Sequence, residues 1–233
     1  MVSKSHAKQK ECLDNHELIL DSAAVLLKEV GYKRMTIDEL AKHAGLGKGT
    51  VYLYFDSKQD VALSFIDRQN QRLQSSIREI LRSKETASAR LHQMLVQRVM
   101  FRFQCVQGYK QSIDDLLADL RPQLLERRAR YLSNEAKILA EVLIEGRTTG
   151  DFSLDEPFRV AEAFLDATNS LLPHSLSPYQ LGERNQLLER VTLLSELLVK
   201  SVQARPDVRT TAPDMTKNTK RMTRTQIESA DKQ

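Results

Sequence analysis

"TIDELAKHAGLGKGTVYLYF", residues 36–55, reads as two short helices hinged on a glycine. Thr36 followed three residues later by Glu39 is a capping box, so the first of these helices starts at Thr36. Gly45 closes it and allows a tight turn, and the second helix runs on to about Phe55. On a helical wheel at about 100° per residue, Val51 and Phe55 fall together and face a core shared with Leu40 and Ala41. Lys48, Gly49, Thr50, Tyr52 and Leu53 fill the opposite arc. That arc carries an ammonium, a bare backbone position, a hydroxyl with a methyl, a phenol and an aliphatic tip. Nothing in a protein core needs a cation or a phenol there, whereas a DNA groove does: cation and phenol reach phosphates, glycine permits close approach, and threonine touches a thymine methyl or a base edge.

The flanks support this reading. A helix over 14–30 carries Leu18, Ile19, Ala23, Leu26, Leu27 and Val30 on one stripe and ends at Gly31. A long fourth helix starts at Asp56 or Ser57 and runs through Val61, Phe65, Leu73, Ile77 and Leu81. A supporting helix followed by two short ones around a glycine turn is the helix-turn-helix arrangement. Helix starts at Thr36 and Ser57 direct free N–H groups outward, where phosphates bind, and Lys58 makes sense beside such a phosphate.

The run "TIDELAKHAGLGKGTVYLYFDSKQDVALSFI" resembles the DNA-binding signature of the tetracycline-repressor (TetR) family of bacterial transcriptional regulators. The resemblance covers residues 14–66, and Gly31-Tyr32 ahead of the capping Thr36, the Ala44-Gly45 turn, "GTVYLYF" and Ser57-Lys58 stand at family spacing. Gly47 stands where the family more often has serine, and His16-Glu17 where it usually has a basic residue. The resemblance implies phosphate contacts from Thr36, Tyr52, Tyr54 and Lys58, and groove contacts from Lys48, Gly49, Thr50 and Leu53. The wheel gives nearly the same set, but puts Tyr54 at the core margin.

The rest of the chain bounds the alternatives. Of 35 Lys+Arg and 31 Asp+Glu, seven cations and four acids fall in 204–233, leaving a body of 28 cations against 27 acids. The basic pI is therefore no argument for DNA, and local placement must carry it. No apolar run approaches the ~18 residues of a membrane span, so no membrane partner is expected. The basic N-terminus has no apolar segment behind it, so a secretory signal is not expected. Cys12 and Cys105 form neither a disulfide framework nor a metal cluster, which suits a reducing, cytoplasmic setting.

Helical periodicity predicts an all-α fold, with further helices at 86–107, 112–120, 122–148, 157–174 and 183–203, broken at 148–157 and 172–182. The expected domains are a flexible basic arm (1–13), the helix-turn-helix domain (14–60), a connecting helix (61–84), a helical ligand-binding and dimerisation domain (85–204) and a disordered tail (205–233). The family resemblance implies the role of the fourth of these. Met94, Phe101, Tyr109, Leu117, Tyr131, Phe164 and Asn169 are the candidates for a mixed apolar pocket. Phe164, Leu171, Leu187, Val191, Leu194 and Leu198 are the candidates for a dimer interface: the helices at 157–174 and 183–203 resemble the pair that builds one in the family, and "LLERVTLLSELLVKSV" is apolar over more than one stripe.

Catalytic and cofactor readings find no support. The five histidines are scattered, with no H-E-x-x-H, G-x-S-x-G or P-loop motif. "ERRAR" at 126–130 reads as a solvated face, and Cys105 as an inert thiol. The expected protein is a homodimeric repressor that reads a palindromic double-stranded operator with heads about one DNA turn (~34–36 Å) apart, or a multiple of it, and is released by a small-molecule effector. A ligand-independent or activating regulator is the alternative, and an all-α enzyme the more remote one.

Overall fold

Caps and glycines decide where the helices near the N-terminus begin and end. α1 (Val2–Glu29) stops at Gly31, which takes φ 82, and α2 (Ile37–Ala44) starts from Thr36 in extended conformation. α3 (Lys48–Tyr52) follows a turn in which Gly45 takes φ 68. α4 (Lys58–Leu81) is capped by Ser57, whose hydroxyl accepts from the Asp60 N–H. Then come α5 (Ala87–Gly108), α6 (Lys110–Thr149), α7 (Pro157–Asn169) and α8 (Arg184–Val202). The computed structural model describes residues 2–172 and 182–204, apart from the side chains of 2–13, 110–114 and 117. The expected tail at 205–233 lies outside the described residues, as does most of the expected break at 172–182.

The described residues form an all-α architecture within the unit Met1–Gln203, with one isolated antiparallel bridge between Phe152 and Gln203. Three elements depart from the sequence reading. α1 is helical back to Val2, where a flexible arm over 1–13 was expected. The helices expected at 112–120 and 122–148 are one, α6, which runs through Pro122. An interior proline costs ~3 kcal/mol in lost hydrogen bonding and steric clash. Buried Leu116 and Leu120 on one side of it, with Leu124 packed beside them on the other, each return up to ~1.5–3 kcal/mol, so burial overrides the breaker. α7 also ends at Asn169, short of the expected residue 174.

Three apolar clusters organise the helices. The first joins α1, α2, α3 and the start of α4, and Leu116 and Leu120 of α6 enter it. The second joins the C-terminal half of α4, the first half of α5, the second half of α6, α7 and the end of α8. The third packs the C-terminal half of α5 against the start of α8. Gly146 is required in the second: a Cβ there would fall 2.1 Å from Phe152 Cδ2, and the Phe152 ring is buried. Helix α4 belongs to the first and second clusters, so it spans from the N-terminal head to the helical core.

Candidate DNA-reading head and effector cavity

The head presents α3 as the sequence pattern requires. Val51 and Phe55 are buried, while Lys48, Gly49, Tyr52 and Leu53 are exposed, Leu53 by 82 %, and Thr50 is half-buried. Gly49 has no internal reason to be glycine, since a Cβ there would meet nothing within 4 Å. Lys48 lies across α2, its Nζ 2.9 Å from Asp38 Oδ2, and that hydrogen bond raises its pKa. Thr36 completes the capping box: Glu39 N–H donates to its Oγ1 (3.2 Å), and its own N–H donates to Glu39 Oε2 (2.9 Å). Gly47 caps α3 without a side-chain hydrogen bond.

Two expected contact residues have partners within the protein. Lys58 Nζ donates to the carbonyls of Tyr32 and Lys33, both at 3.1 Å, and sits 4.8 Å from the Tyr32 ring centroid. It staples the start of α4 to the turn after α1. Tyr54 is half-buried against the head core, its hydroxyl 3.5 Å from Asn15 Nδ2 and its ring edge-on to His16. The wheel's placement of Tyr54 at the core margin agrees with this position.

Behind the head lies a cavity of about 240 Å³. Leu27 of α1, Phe65, Ile66 and Leu73 of α4, Phe101 and Val106 of α5, and Leu116 and Leu124 of α6 supply its apolar wall. Its polar lining is Gln69 and Asn70 of α4, Arg102 and Cys105 of α5, and Tyr109. Burial pushes the Cys105 thiol and the Tyr109 phenol above their ordinary pKa values.

Of the seven ligand candidates, Phe101 and Tyr109 line this cavity. The Leu117 side chain lies outside the described residues. Met94 and Phe164 are buried in the second core cluster, and Tyr131 donates its hydroxyl to Asp67. Asn169 accepts from Arg98 Nη2 at 2.6 Å. These four serve packing or internal bonding because the helix faces they occupy turn toward other helices. Arg102, Gln69, Asn70 and Cys105 escaped the sequence reading as pocket residues. A signal existed: Arg98 and Arg102 stand four apart, on one face of an otherwise largely apolar helix.

That pair belongs to a buried ionic cluster. Arg98 and Glu135 are fully buried. Arg98 Nε donates to Glu135 Oε2 (2.7 Å), and its Nη1 to Thr168 Oγ1 (2.7 Å). Arg102 Nη2 donates to Glu135 Oε1 (2.5 Å) and to Asn70 Oδ1 (3.3 Å). Burial pulls Arg98 down to about 10, against the pull of Glu135. Burial by itself raises Glu135, but Arg102 and Arg98 together outweigh it and hold the carboxyl below the ordinary value.

Cross-links on α4 connect this region to the head. Asp67 receives Arg127 Nε and Arg130 Nη2 at 3.1 Å each, and the Tyr131 hydroxyl, all from α6. "ERRAR" is therefore partly tied down, where a solvated face was expected. The next residue, Arg68, is buried and donates from Nη1 to Glu17 Oε2 (2.9 Å) and Asp21 Oδ1 (2.8 Å) of α1. Adjacent residues of one helix thus hold α6 on one side and the head's first helix on the other.

The dimer candidates all pack within the protomer. Phe164, Leu171, Leu187 and Val191 are buried inside the protomer, and Leu194 and Leu198 pack half-buried against it. The exposed leucines of α8 are Leu193 (60 %) and Leu197 (57 %), one helical turn apart. His92 Nδ1 lies 2.8 Å from Ser195 Oγ.

A helix-turn-helix head with a half-open apolar cavity behind it defines a DNA-binding transcriptional regulator. The chain matches, over residues 19–65, the family model described as bacterial regulatory proteins, tetR family. It is 27 % identical over 153 residues to the fatty acid metabolism regulator protein of Bacillus subtilis (strain 168), covering 64 % of this chain and 77 % of that protein. To the A-factor receptor protein of Streptomyces griseus it is 35 % identical over 63 residues, 27 % of this chain and 23 % of the receptor. A transcriptional regulator from Cytophaga hutchinsonii shares the fold with a TM-score of 0.67 at 22 % identity, over 80 % of this chain and 97 % of that one. FadR from Bacillus subtilis, solved in complex with stearoyl-CoA, shares it with a TM-score of 0.56 at 23 % identity, over 80 % and 99 %.

Proposed function

We propose that this regulator is a homodimeric repressor that leaves its operator when a compound bearing an alkyl chain enters the cavity behind the head. The observation that carries the reading is the position of that cavity, walled by Leu27 of α1 and by five residues of α4. A ligand there presses on the two helices that also share the Arg68–Glu17 and Arg68–Asp21 bonds. The apolar wall and the names of its relatives, a fatty acid metabolism regulator and a regulator complexed with stearoyl-CoA, both support an alkyl chain. A coupling of ~1–3 kcal/mol changes operator affinity roughly 5- to 150-fold.

In this reading Lys48, Gly49, Thr50 and Leu53 enter the groove, and Thr36 and Tyr52 address phosphates. Lys58 and Tyr54 act by holding the head together. The dimer forms on the outward face of α8 around Leu193 and Leu197, with Leu194 and Leu198 at its edge. Residues 14–60 are the reading head, 61–84 the link, and 85–204 the effector and dimer part.

The test is selection of genomic fragments by the full chain, followed by operator binding in fluorescence polarisation with and without cell extract. Two protomers per palindromic site and release by extract are expected. Binding no tighter than to random DNA at physiological salt sinks the operator reading. An operator complex that no extract or lipid fraction weakens sinks the effector reading.

A further inference from the structure

Charge in the cavity is unbalanced. Glu135 is one carboxylate shared by two guanidiniums, those of Arg98 and Arg102. Arg98 uses its other bonds on the neutral oxygens of Thr168 and Asn169. Paired with Glu135, Arg98 accounts for that carboxylate, and the charge of Arg102 is left without an anion of its own. On the cavity side Arg102 meets only the neutral Asn70 at 3.3 Å, and none of the described lining residues is acidic. Arg128 adds a further cation near Arg98, with a buried Nε that has no hydrogen-bond partner. An uncompensated cation beside apolar walls attracts an anion more strongly than the same cation in water.

We propose that the cavity binds a medium-chain alkyl monoanion, whose head group bonds Arg102 in place of Asn70 while its chain lies against Phe65, Phe101 and Leu124. This rests on the effector reading above and deepens it. Both terminal nitrogens of Arg102 reach Glu135, Nη1 at 3.4 Å and Nη2 at 2.5 Å, so the head group takes the Nη2 donor now given to Asn70 and supplies the counter-charge that the shared Glu135 cannot. The volume, about 240 Å³, falls below the ~300–1,000 Å³ of sites for drug-sized ligands, so a short chain fills it. Asn70 lies three residues after Asp67 and two after Arg68 on α4. Loss of its bond to Arg102 removes one tie between α4 and α5, next to the links that hold α6 and α1.

The test titrates full-length protein with octanoate, octanol and octanoyl-CoA by calorimetry, and follows operator release in parallel. Octanoate is expected to bind roughly 10- to 150-fold more tightly than octanol, the value of a charge-assisted hydrogen bond. From hexanoate to octanoate, affinity rises about fourfold per methylene. Arg102→Gln makes acid and alcohol equal. Asn70→Ala leaves the Arg102–Glu135–Arg98 cluster intact and tightens octanoate binding, which keeps the test decisive if Arg102→Gln does not fold.

Equal binding of acid and alcohol by the wild type, a preference that survives Arg102→Gln, or an unchanged octanoate affinity in Asn70→Ala each overturn the proposal. Octanoyl-CoA binding tighter than octanoate also overturns it, because its polyanionic head belongs outside the cavity. If none of the three octyl compounds binds while a lipid fraction of cell extract still releases the operator, this inference fails and the effector reading stands. If neither alkyl compounds nor extract act, both fail.

Discussion

Substituting alanine at Gly49 should strengthen the fold and weaken the function. Gly49 lies inside α3, takes no left-handed conformation, and a Cβ built on it meets nothing within 4 Å. Glycine in a helix costs up to about 1 kcal/mol relative to alanine, so Gly49→Ala should raise the Tm by ~2–4 °C for a domain of this size. On the proposed interface the same methyl meets a DNA groove, where close backbone approach is lost. Operator affinity should fall by about tenfold or more, which is ~1.4 kcal/mol. No charge is removed, so the slope of log affinity against log salt should stay that of the wild type. Scanning calorimetry and fluorescence polarisation across a salt series read these quantities. Gly146→Ala is the control with the opposite sign: its Cβ would collide with the buried Phe152 ring, and overpacking of ~1–3 kcal/mol outweighs the propensity gain. A Gly49→Ala protein with raised Tm and wild-type operator affinity would refute the assignment of this face to DNA.

Three further outcomes follow from the geometry. Leu197→Glu places a charge in the proposed dimer face while leaving the protomer core untouched; it should sediment as a folded monomer and lose operator affinity by orders of magnitude, and a normal dimer would move the interface elsewhere. Glu135→Ala leaves Arg98 buried without its carboxylate, costing ~3–5 kcal/mol, so the Tm should drop by roughly 6–20 °C; a loss under ~1 kcal/mol contradicts the cluster's place in the core. Because the Glu135 pKa is lowered in the fold from 4.5, its stabilisation is present above that pH and is lost as pH falls through the folded value. The acid limb of the wild-type stability curve should therefore be shallower in Glu135→Gln, and superimposable limbs would argue against the shift.

The head was legible because its determinants are local. Thr36 with Glu39, Gly45 and Ser57 each set a boundary within four residues of themselves, and the apolar spacing of Val51 and Phe55 oriented α3. α6 was not legible at Pro122, because the leucines that overrule the proline act through contacts with the head. On α8 two apolar stripes lie side by side, and periodicity alone does not say which one the protomer buries. The structure turns Leu187 and Val191 inward and leaves Leu193 and Leu197 outside. The cavity's polar lining was hidden for a different reason: the partners of Arg98 and Arg102 stand 32 to 71 residues away, so no local pattern reports their meeting. The arginine pair at i, i+4 pointed only to a charged face on an apolar helix.

The central claim, that filling the cavity weakens DNA binding, is tested most directly by a covalent tether. Cys105 lines the cavity, and Cys12→Ser leaves it the single thiol of the chain. Labelling that variant to completion with an alkyl methanethiosulfonate attaches a chain by a reducible disulfide, and operator affinity is then measured before labelling, after it, and after reduction. The account predicts a fall of roughly 5- to 150-fold on labelling that reverses with reductant. A fully labelled protein that holds its operator as tightly as the unlabelled one would contradict it.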